Sequence, residues 1–386
     1  MVSFFKKLLT KKTQGIGLEI TPERLNVVQI AKQKQNYKLV KCCSSDIPEG
    51  IFEEGKIVDS VALAELIQEV LKENKITSKR VATAVPMRES IIRIIPIPSE
   101  LDDEELRDLV LNHEANLYLP YPREEVDIDY QKLGYFQDED GIEKVQVLLV
   151  ATRREITDAY LETLQRAGLQ VDVLEINSFS LIRTIRDQLR QFSSNEATVI
   201  VDIEFDNTEI AIVVDGVPQF SRTVPIGTFQ LQNAISRAMN LPTPRSPEIL
   251  LGMTIPITAF DSLDTNTGAS RTFTTAGIAA LMRVLGELTD ELRRSINFYL
   301  NQSDELEMEI VQLLLAGPGG GLAQLDEYFT QRLNVPTTVI DPITSLNLDT
   351  TQEIPNAERP GLGTVLGLGL RECVETRSIL IVSSTK

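Results

Sequence analysis

The residues with the clearest chemical potential are the glycines of LLLAGPGGGLAQLDEYF, residues 313–329. Gly317, Gly319, Gly320 and Gly321 lie between a predicted strand and a predicted helix, where they would let the backbone approach a flat ligand. The stretch is not a Walker A loop, because the ending Gly-Lys-Ser/Thr is missing, and it does not have the dinucleotide-binding pattern. A turn that contacts a ligand and a purely structural turn are both open alternatives.

A second candidate is TVIVDIEFDNTEIAIVVDGV, residues 198–217, which predicts a strand, a tight turn and a strand. Turns that bind phosphate usually contain glycine, so that backbone N–H groups can approach the anion. This turn instead contains Glu204, Phe205, Asp206 and Asn207. A nucleotide site, a degenerate nucleotide site and an ordinary hairpin are therefore all compatible with the pattern.

The composition limits the classes of function. The chain has 386 residues, of which 42% are hydrophobic and 24% charged, as expected for a soluble globular protein with two domains or one bilobed body. Its longest apolar runs are shorter than the roughly 20 residues of a membrane-spanning helix. The net charge of −18 argues against nucleic acid as a partner and favours partners with lysine or arginine.

Metal and redox chemistry have little support. The three cysteines cannot all pair, which favours a reduced cytoplasmic setting. His113 is the only histidine and is distant in sequence from every cysteine, so a site of His and Cys ligands is not expected. We expect a surface or packing role for His113.

The N-terminal segment 1–14 is basic and amphipathic. Phe4, Phe5, Leu8 and Leu9 are interleaved with lysines, which makes the segment unsuitable as a secretory signal. A short helix on a membrane surface and a solvated chain end are both compatible with it.

The longer pattern indicates an internal duplication. Residues 15–48 and 197–227 each contain three β-rich segments, and each set is followed by a helical stretch, at 60–74 and at 228–240. Two similar halves separated by about 180 residues predict a duplicated, bilobed α/β fold with a cleft between the lobes.

Insertions interrupt both halves, and the chain is divided accordingly. The first lobe is predicted at 15–87 and 169–196, with an inserted β-α-β-β-α subdomain at 88–168. The second lobe is predicted at 197–240 and 306–372. Its own insertion, 241–305, combines a polar loop around 261–275 with a long helix, and 373–386 form a tail.

These motifs together resemble the actin-like ATPase superfamily, and within it the PilM family of type IV pilus assembly proteins, which is similar to FtsA. The most specific stretch is PIPSELDDEELRDLVLNHEANLYLPYPREEVDIDYQ, which is typical of the PilM inserted subdomain. The resemblance covers residues 15–372. It implies an actin-like (ribonuclease H-like) bilobed fold with a nucleotide cleft and an FtsA-like inserted subdomain.

The resemblance also implies ATP between two phosphate hairpins. In the first hairpin, GLEITPERLNVVQI, Glu19 stands at the family's Asp, Thr21 among its small residues and Asn26 at its Lys. In the second, Asp202 and Thr208 match the family pattern, whereas Glu204 replaces a glycine. Asp202 and Glu19 are the implied ligands of Mg²⁺, directly or through water.

The remaining implied contacts are made by a glycine and a helix. Gly227, in TVPIGT, would lie near the phosphates. In ELTDELRRSINFY, Glu291 would bind the ribose hydroxyls and Arg294 would cover the base, together with the Gly-rich turn. A surface helix with ordinary ion pairs three or four residues apart is the alternative.

The departures from the family pattern predict weak nucleotide binding. Pro22 has no N–H group to donate, Glu23 and Glu204 bring negative charge towards a polyanion, and the missing lysine removes a positive charge. Phosphoryl transfer depends on such positioning and charge compensation. We therefore expect at most a weak ATPase and not an efficient catalyst.

The function implied by the resemblance is that of an assembly scaffold at the cytoplasmic face of the inner membrane. Its partner would be the cytoplasmic N-terminal peptide of PilN, held near residues 88–168, and contacts with the pilus motor ATPases and self-association are further expectations. The alternatives are an ATP-hydrolysing enzyme or small-molecule kinase, and an FtsA-like filament protein tethered to the membrane. The C-terminal VETRSILIVSSTK has no basic amphipathic repeat, which counts against the filament protein.

Overall fold

The computed structural model describes residues 16–33, 36–244, 247–257, 275–302 and 308–371. These residues form two compact units. The first unit contains the described residues up to 181 together with 347–352 and 364–371, and the second contains those in 182–346 and 353–363. The N-terminal segment 1–14, the tail 373–386 and nearly all of the polar loop around 261–275 lie outside the described residues.

The first unit contains a mixed sheet and a smaller antiparallel sheet. Its strands before residue 181 are β1 (Ile16–Ile20), β2 (Arg24–Gln33), β3 (Asn36–Asp46), β4 (Phe52–Glu53), β5 (Lys56–Ile57), β6 (Arg80–Val85), β7 (Ser90–Pro98), β8 (Val126–Gln137), β9 (Glu143–Arg153) and β10 (Gln170–Ile176). Its helices are α1 (Ser60–Glu73), α2 (Asp103–Asp108), a π-helical turn (Leu109–Glu114), α3 (Ala115–Tyr118), α4 (Arg154–Arg166) and α5 (Asn177–Thr184).

The second unit repeats the same kind of construction around another mixed sheet. Its strands are β11 (Glu196–Ile203), β12 (Thr208–Val214), β13 (Val217–Val224), β14 (Glu309–Ala316) and β15 (Thr337–Val339). Its helices are α6 (Arg186–Leu189), α7 (Thr228–Ala238), α8 (Glu248–Leu251), α9 (Thr275–Gln302), α10 (Gly317–Gly320), α11 (Leu325–Leu333) and α12 (Pro342–Ser345). Strand β16 (Leu348–Asp349) and helix α13 (Gly363–Arg371) come after α12 in the chain, and β16 and nearly all of α13 belong to the first unit.

The two mixed sheets have the same topology. The strand order is β3-β2-β1-β6-β10 in the first unit, where β16 extends the β3 edge, and β13-β12-β11-β14-β15 in the second. In both, an antiparallel meander of three strands is followed by parallel strands: β1 pairs with β6 and β11 with β14. The predicted duplication and the α/β fold class are therefore confirmed.

Local sequence explains where α1 begins and which face it buries. The Asp59 side chain accepts hydrogen bonds from the backbone N–H groups of Val61 and Ala62, which caps the helix N-terminus. Leu63, Ile67 and Leu71 recur every four residues and are buried. Burial of this apolar stripe attaches the helix to the core.

The smaller sheet, with strand order β7-β9-β8, has its own core. Ile95, Val147 and Leu149 on one face of that sheet pack against Leu106 and Val110 of the helical segment 103–118. The predicted subdomain was β-α-β-β-α, and its bounds of 88–168 stay a prediction. The helix that follows, α4, packs against α1, β6 and β10.

The compact units divide the chain differently from the predicted lobes at its C-terminal end. Residues 347–352 and 364–371 belong to the first unit, although the sequence places 306–372 in the second lobe. Strand β16 pairs with β3, and a Cβ atom on Gly17 of β1 would lie 2.4 Å from the backbone nitrogen of Gly369 in α13. Gly17 in the strand and Gly369 in the helix allow α13 to approach the sheet this closely. Composition does not reveal a contact between residues so far apart in sequence. Residues 182–196, predicted in the first lobe, belong to the second unit.

Candidate functional site

The Gly-rich turn after β14 packs closely against the end of β11. Gly317 has a φ of +74°, and a Cβ atom there would lie 2.5 Å from both Asp202 Oδ1 and the Ile203 carbonyl oxygen. A Cβ on Gly319 would lie 2.4 Å from the Ile203 side chain. Only glycine fits these two positions, because of the left-handed backbone at the first and the contact distances at both.

The other two glycines of the turn also approach protein atoms. A Cβ on Gly321 would lie 1.9 Å from the carbonyl oxygen of Ala357, and one on Gly320 would lie 3.2 Å from the carbonyl carbon of Leu315. Packing within the second unit therefore accounts for the Gly-rich turn. Contact with a ligand at these glycines stays a prediction.

Asp202, one residue before the end of β11, has a buried carboxyl group. Its residue is 3% exposed, and its Oδ2 atom has no hydrogen-bond partner among the described residues. Burial away from water raises the pKa of Asp202 to about 7, against a smaller opposing effect of its hydrogen bond with Glu204. A hydrogen bond between two carboxyl groups requires a proton on one of them. The Glu204 side chain, which replaces the family's glycine, thus contacts Asp202.

The turn between β11 and β12 is held by the first residues of α7. The backbone N–H groups of Thr228 and Phe229 donate to the carbonyl oxygens of Glu204 at 2.9 Å and Phe205 at 2.8 Å. A Cβ on Gly227 would lie 2.4 Å from the Phe205 carbonyl oxygen. Gly227 is therefore needed for the close approach of helix to turn, and two helix N-terminal donors that an anion would use are occupied.

Two further bonds fix the same region. The Thr208 hydroxyl donates to the Ile226 carbonyl oxygen at 2.6 Å, and the backbone N–H of Gly227 donates to Gln230 Oε1 at 2.8 Å. Sequence reasoning missed Gln230. Its position in the sequence could have indicated it, because Gln230 is three residues after Gly227, the residue that precedes α7. That spacing is typical of a capping box.

In the first unit, Glu19 and Asn26 form a buried polar chain across three strands. Asn26 Nδ2 donates to Glu19 Oε2 at 2.9 Å, and Ser44 Oγ donates to Asn26 Oδ1 at 2.7 Å. Glu19 and Asn26 face each other in the β1–β2 register. The position at which the family has a lysine is thus a neutral amide bonded to a carboxylate.

The turn of the first hairpin offers a phosphate little positive charge. The Thr21 hydroxyl lies 3.0 Å from Glu23 Oε2, and Arg24 Nε lies 3.5 Å from Asp46 Oδ1. Within residues 16–30, Arg24 is the one basic residue in the sequence. A polyanion near this turn would therefore meet carboxylates without a free cation to offset them.

Glu291 and Arg294 lie in α9 and bind each other and β13. Glu291 Oε2 is 2.8 Å from Arg222 Nη2 of β13, and its Oε1 pairs with Arg294. Asp290 and Arg293 form a separate pair at 2.8 Å. Two arginines thus share the carboxylate of Glu291. Ion pairs of this kind are expected of a surface helix, which is the alternative to a helix that contacts the nucleoside. Ribose and base contacts of this helix stay predictions.

The predicted site residues therefore fall into two sets. The second unit brings Asp202, Gly317 and Gly319 together. Gly227, just before α7, packs against the turn that follows Asp202. Glu19, Thr21 and Asn26 belong to the first unit, so a joint site with Asp202 stays a prediction. In the part of the chain that the structure describes, no group of three or more His, Cys, Asp or Glu side chains could hold a metal ion by itself.

Residues 17–248 match the family model described as "Type IV pilus assembly protein PilM", which is more than half of the chain. The chain belongs to the PilM family. This membership confirms the resemblance inferred from the hairpins and the inserted subdomain. No helix among the described residues is long and apolar enough to cross a bilayer.

Solved structures agree with the family. One described as a "PilM-PilN type IV pilus biogenesis complex" is 26% identical, with a TM-score of 0.76, over 93% of this chain and 98% of that chain. Its similarity over nearly the whole chain confirms the actin-like fold. More distant likenesses include the ethanolamine utilization protein EutJ from Carboxydothermus hydrogenoformans, 13% identical over 96% of each chain with a TM-score of 0.49. MreB5 of Spiroplasma citri bound to ADP is 11% identical over 87% of this chain and 95% of that chain, with a TM-score of 0.48.

Proposed function

We propose that this member of the PilM family is an actin-like assembly scaffold that binds the cytoplasmic N-terminal peptide of PilN. The supporting observation is the likeness to the PilM-PilN complex, which extends over 93% of this chain and 98% of that one. In this proposal the protein acts at the cytoplasmic face of the inner membrane, because its partner peptide is anchored there. The chain does its work by protein contact and not by catalysis.

A cavity at the base of the inserted subdomain is the proposed anchor point for the peptide. It has a volume of about 150 Å³ and lies between the β4–β5 hairpin and α4. Its apolar lining is contributed by Ile57, Pro86, Ile156 and Ala159. Pockets for small molecules are larger, roughly 300–1,000 Å³. A cavity of this size suits one apolar side chain of a docked peptide.

The charged groups at this cavity are paired with each other. Glu155 Oε1 lies 3.2 Å from Lys56 Nζ and 2.7 Å from Arg153 Nη1, and Glu89 Oε2 lies 3.0 Å from Arg153 Nη2. Paired charges attract neither a free anion nor a free cation strongly. The cavity therefore favours a peptide side chain that is apolar and matches its shape. The ion pairs lie around the bound side chain.

Calorimetric titration with a PilN N-terminal peptide tests this proposal. The variant Ala159→Leu fills the cavity and is expected to weaken binding about tenfold or more, since hot-spot side chains contribute on the order of 2 kcal/mol. Gln165→Leu adds the same side chain on an exposed position of α4 and is the matched control. Peptide binding that is absent from the unsubstituted protein, with and without nucleotide, would sink the proposal.

We further propose that any ATP is bound weakly and turned over slowly. Asp202 fits a role beside Mg²⁺, because its buried Oδ2 has no partner among the described residues and would accept a hydrogen bond from a metal-bound water. The ion would supply positive charge for the phosphates. The side chains of the two predicted phosphate hairpins fit ATP less well. Glu204 and Glu23 add negative charge, and Asn26 replaces the family's lysine.

Calorimetry with ATP and Mg²⁺, followed by peptide titration into both forms, separates nucleotide binding from peptide binding. A turnover assay with Asp202→Ala as its control tests the enzyme alternative: rapid hydrolysis that this substitution abolishes would support an ATPase. Contacts with the pilus motor ATPases and self-association are parts of the same proposal. Pull-down with the motor proteins and sedimentation with and without ATP test them.

A further inference from the structure

The two mixed sheets differ at one pair of corresponding edges. Strands β3 and β13 are each the third strand of an antiparallel meander, and each lies at the outer side of its meander. In the first unit, β16 continues the sheet beyond β3. In the second unit, β13 is the last strand, and no strand in the described part of the chain pairs with its outer side. The internal duplication therefore allows the two edges to be compared directly.

An extended segment of the chain covers the β3 edge. Strand β16 pairs in parallel with β3 at Tyr37 and Lys38. Further along, the Cys42 backbone N–H donates to Gln352 Oε1 at 2.9 Å, and Gln352 Nε2 donates to the Cys42 carbonyl oxygen at 3.1 Å. Residues 348–352 thus satisfy outward main-chain groups of β3 by strand pairing and by a side-chain amide.

The corresponding strand β13 has outward main-chain groups without such a cover. Five consecutive residue pairs join it to β12, from Ile212 with Phe220 to Thr208 with Val224. An edge strand directs the N–H and C=O groups of alternate residues away from its neighbour. Within the described ranges, the backbone of residues 220–223 makes no hydrogen bond outside the ladder with β12. These groups are a template for a further strand.

The regular part of this edge lacks the features that usually protect an open strand. Exposed edges are commonly guarded by proline, lysine or a bulge. In β13, Pro218 and the register shift between Pro218 and Phe220 both lie near its beginning. Residues 220–223 contain neither proline nor lysine, and their one charged side chain, Arg222, is bound to Glu291 of α9. The edge is therefore open to pairing after the register shift.

An apolar surface beside this edge would receive a side chain of the added strand. The Phe220 ring lies 5.7 Å from the Phe298 ring and 6.4 Å from the Tyr299 ring, both in α9. Phe298 is 54% exposed. A strand added to β13 would lie about 4.8 Å from it, so a side chain on the α9 face would contact Phe220 and reach Phe298. An apolar side chain fits this position.

The same face carries excess positive charge two residues further along β13. Phe220 and Arg222 both contact α9, as expected because side chains two apart on a strand share a face. Arg222 and Arg294, both exposed, share the single carboxylate of Glu291. Two guanidinium groups against one carboxylate leave one positive charge, on a chain whose net charge is −18. A carboxylate of the added strand would pair with it.

We propose that the outer edge of β13 binds an extended segment of a partner protein as an additional, parallel strand. The segment that fits has an apolar side chain beside Phe220 and, two residues further on, a carboxylate beside Arg222. The parallel direction is that of β16 on β3. Main-chain hydrogen bonds would supply affinity, and the two side chains would supply specificity.

A second copy of this chain is a less suitable occupant of the β13 edge. Two bodies that each have a net charge of −18 repel each other, whereas a short segment with one carboxylate does not bring such a charge. The residues of this edge are not those of the cavity proposed for PilN, so the inference does not depend on PilN binding.

Fluorescence anisotropy with a labelled synthetic peptide tests the inference on the full chain. In this probe, threonine alternates with valine, and aspartate replaces the valine two positions after a central valine. We expect the probe to bind the unsubstituted protein. The same probe with N-methylated backbone amides cannot donate main-chain hydrogen bonds, so we expect it to bind about tenfold more weakly or worse.

Two matched pairs of variants test the side-chain contacts. Phe298→Ser is expected to weaken binding about tenfold, and Leu241→Ser, at a side chain that is also 54% exposed, should leave it nearly unchanged. Arg222→Gln should abolish the preference for the aspartate probe over the same probe with asparagine. Arg293→Gln removes an equal charge from a pair with Asp290 and should retain that preference.

Absence of probe binding at millimolar protein concentration would overturn the inference. So would equal binding of the N-methylated probe, equal effects within either pair of variants, or displacement of the probe by the PilN peptide. Amide hydrogen exchange locates the contact: exchange within residues 219–223 should slow when the probe binds, and an unchanged rate there would contradict the proposal. Thermal melting verifies that all four variants fold. Titration of the PilN peptide alone is a separate readout, and its failure concerns the proposed function only.

Discussion

The carboxyl group of Asp202, at the end of β11, hydrogen-bonds with the carboxyl group of Glu204 in the following turn. The family pattern has a glycine at the second position. Glu204 therefore holds the turn to the buried acid. The same residue places a second carboxyl group in the turn that the proposed nucleotide site would use for phosphate. One change of residue type thus explains both an ordered turn and a weak expected affinity for ATP.

The raised pKa of Asp202 predicts a pH-dependent stability in the absence of nucleotide and Mg²⁺. Its pKa of about 7 lies above the roughly 3.9 expected in the unfolded chain, so the folded protein holds the proton more tightly. This contribution to stability is fully present below pH ~4 and is lost as the pH rises through about 7. Asp202→Asn cannot ionise, so its stability relative to the unsubstituted protein should increase across that window by about 1.4 kcal/mol per pH unit.

Thermal melting of the two proteins between about pH 5 and about pH 8 checks this. Asp215→Asn, in the exposed turn between β12 and β13, is the matched control and should show no comparable trend. A melting difference between Asp202→Asn and the unsubstituted protein that does not change with pH would contradict the assignment.

Gly317→Ala is expected to lower the free energy of unfolding by about 3 kcal/mol. The residue has a φ of +74°, and the added Cβ would lie 2.5 Å from Asp202 Oδ1. Gly216→Ala has a similar φ of +77° but nothing within 4 Å, so it should cost only about 1 kcal/mol. Denaturant unfolding of both variants separates the steric cost from the backbone cost. Equal losses would mean that Asp202 and the turn are not in close contact.

Gly17→Ala tests the packing of α13 on the first unit. The added Cβ would lie 2.4 Å from the Gly369 nitrogen and 2.6 Å from the Val365 carbonyl oxygen, so the helix would have to move. We expect a loss of about 2 kcal/mol in the free energy of unfolding. Gly134→Ala, in β8 with nothing within 4 Å of the new atom, should change it by less than about 0.5 kcal/mol. Tolerance of Gly17→Ala at the same level would argue against this packing.

Asn26→Lys restores the cation of the family pattern. The new ammonium group would replace the amide that donates to the buried Glu19, and would stand where the family's phosphate hairpin has its lysine. We expect the affinity for ATP with Mg²⁺ to rise about tenfold, since a hydrogen bond to a charged group contributes about 1.5–3 kcal/mol. Asn36→Lys, exposed at the start of β3, adds the same charge elsewhere. Calorimetry that finds the same gain in both variants would reject a specific role for position 26.

The sequence by itself determined the local elements and their repetition. The alternation of apolar residues predicts the hairpins 16–33 and 198–214, and the spacing of Leu63, Ile67 and Leu71 predicts α1. The spacing of apolar residues along one element is a local property of the sequence. These elements can therefore be predicted without knowing what packs against them. The motif of the inserted subdomain was specific enough to indicate the family.

Only the tertiary structure decided what those elements touch. It showed that Glu204 faces Asp202, that the glycines of the turn at 317–321 accommodate Ile203 and Ala357, and that α13 packs on β1. Contacts of this kind join residues that are tens to hundreds of positions apart, and their geometry depends on how whole elements pack, which residue type and spacing along the chain do not specify.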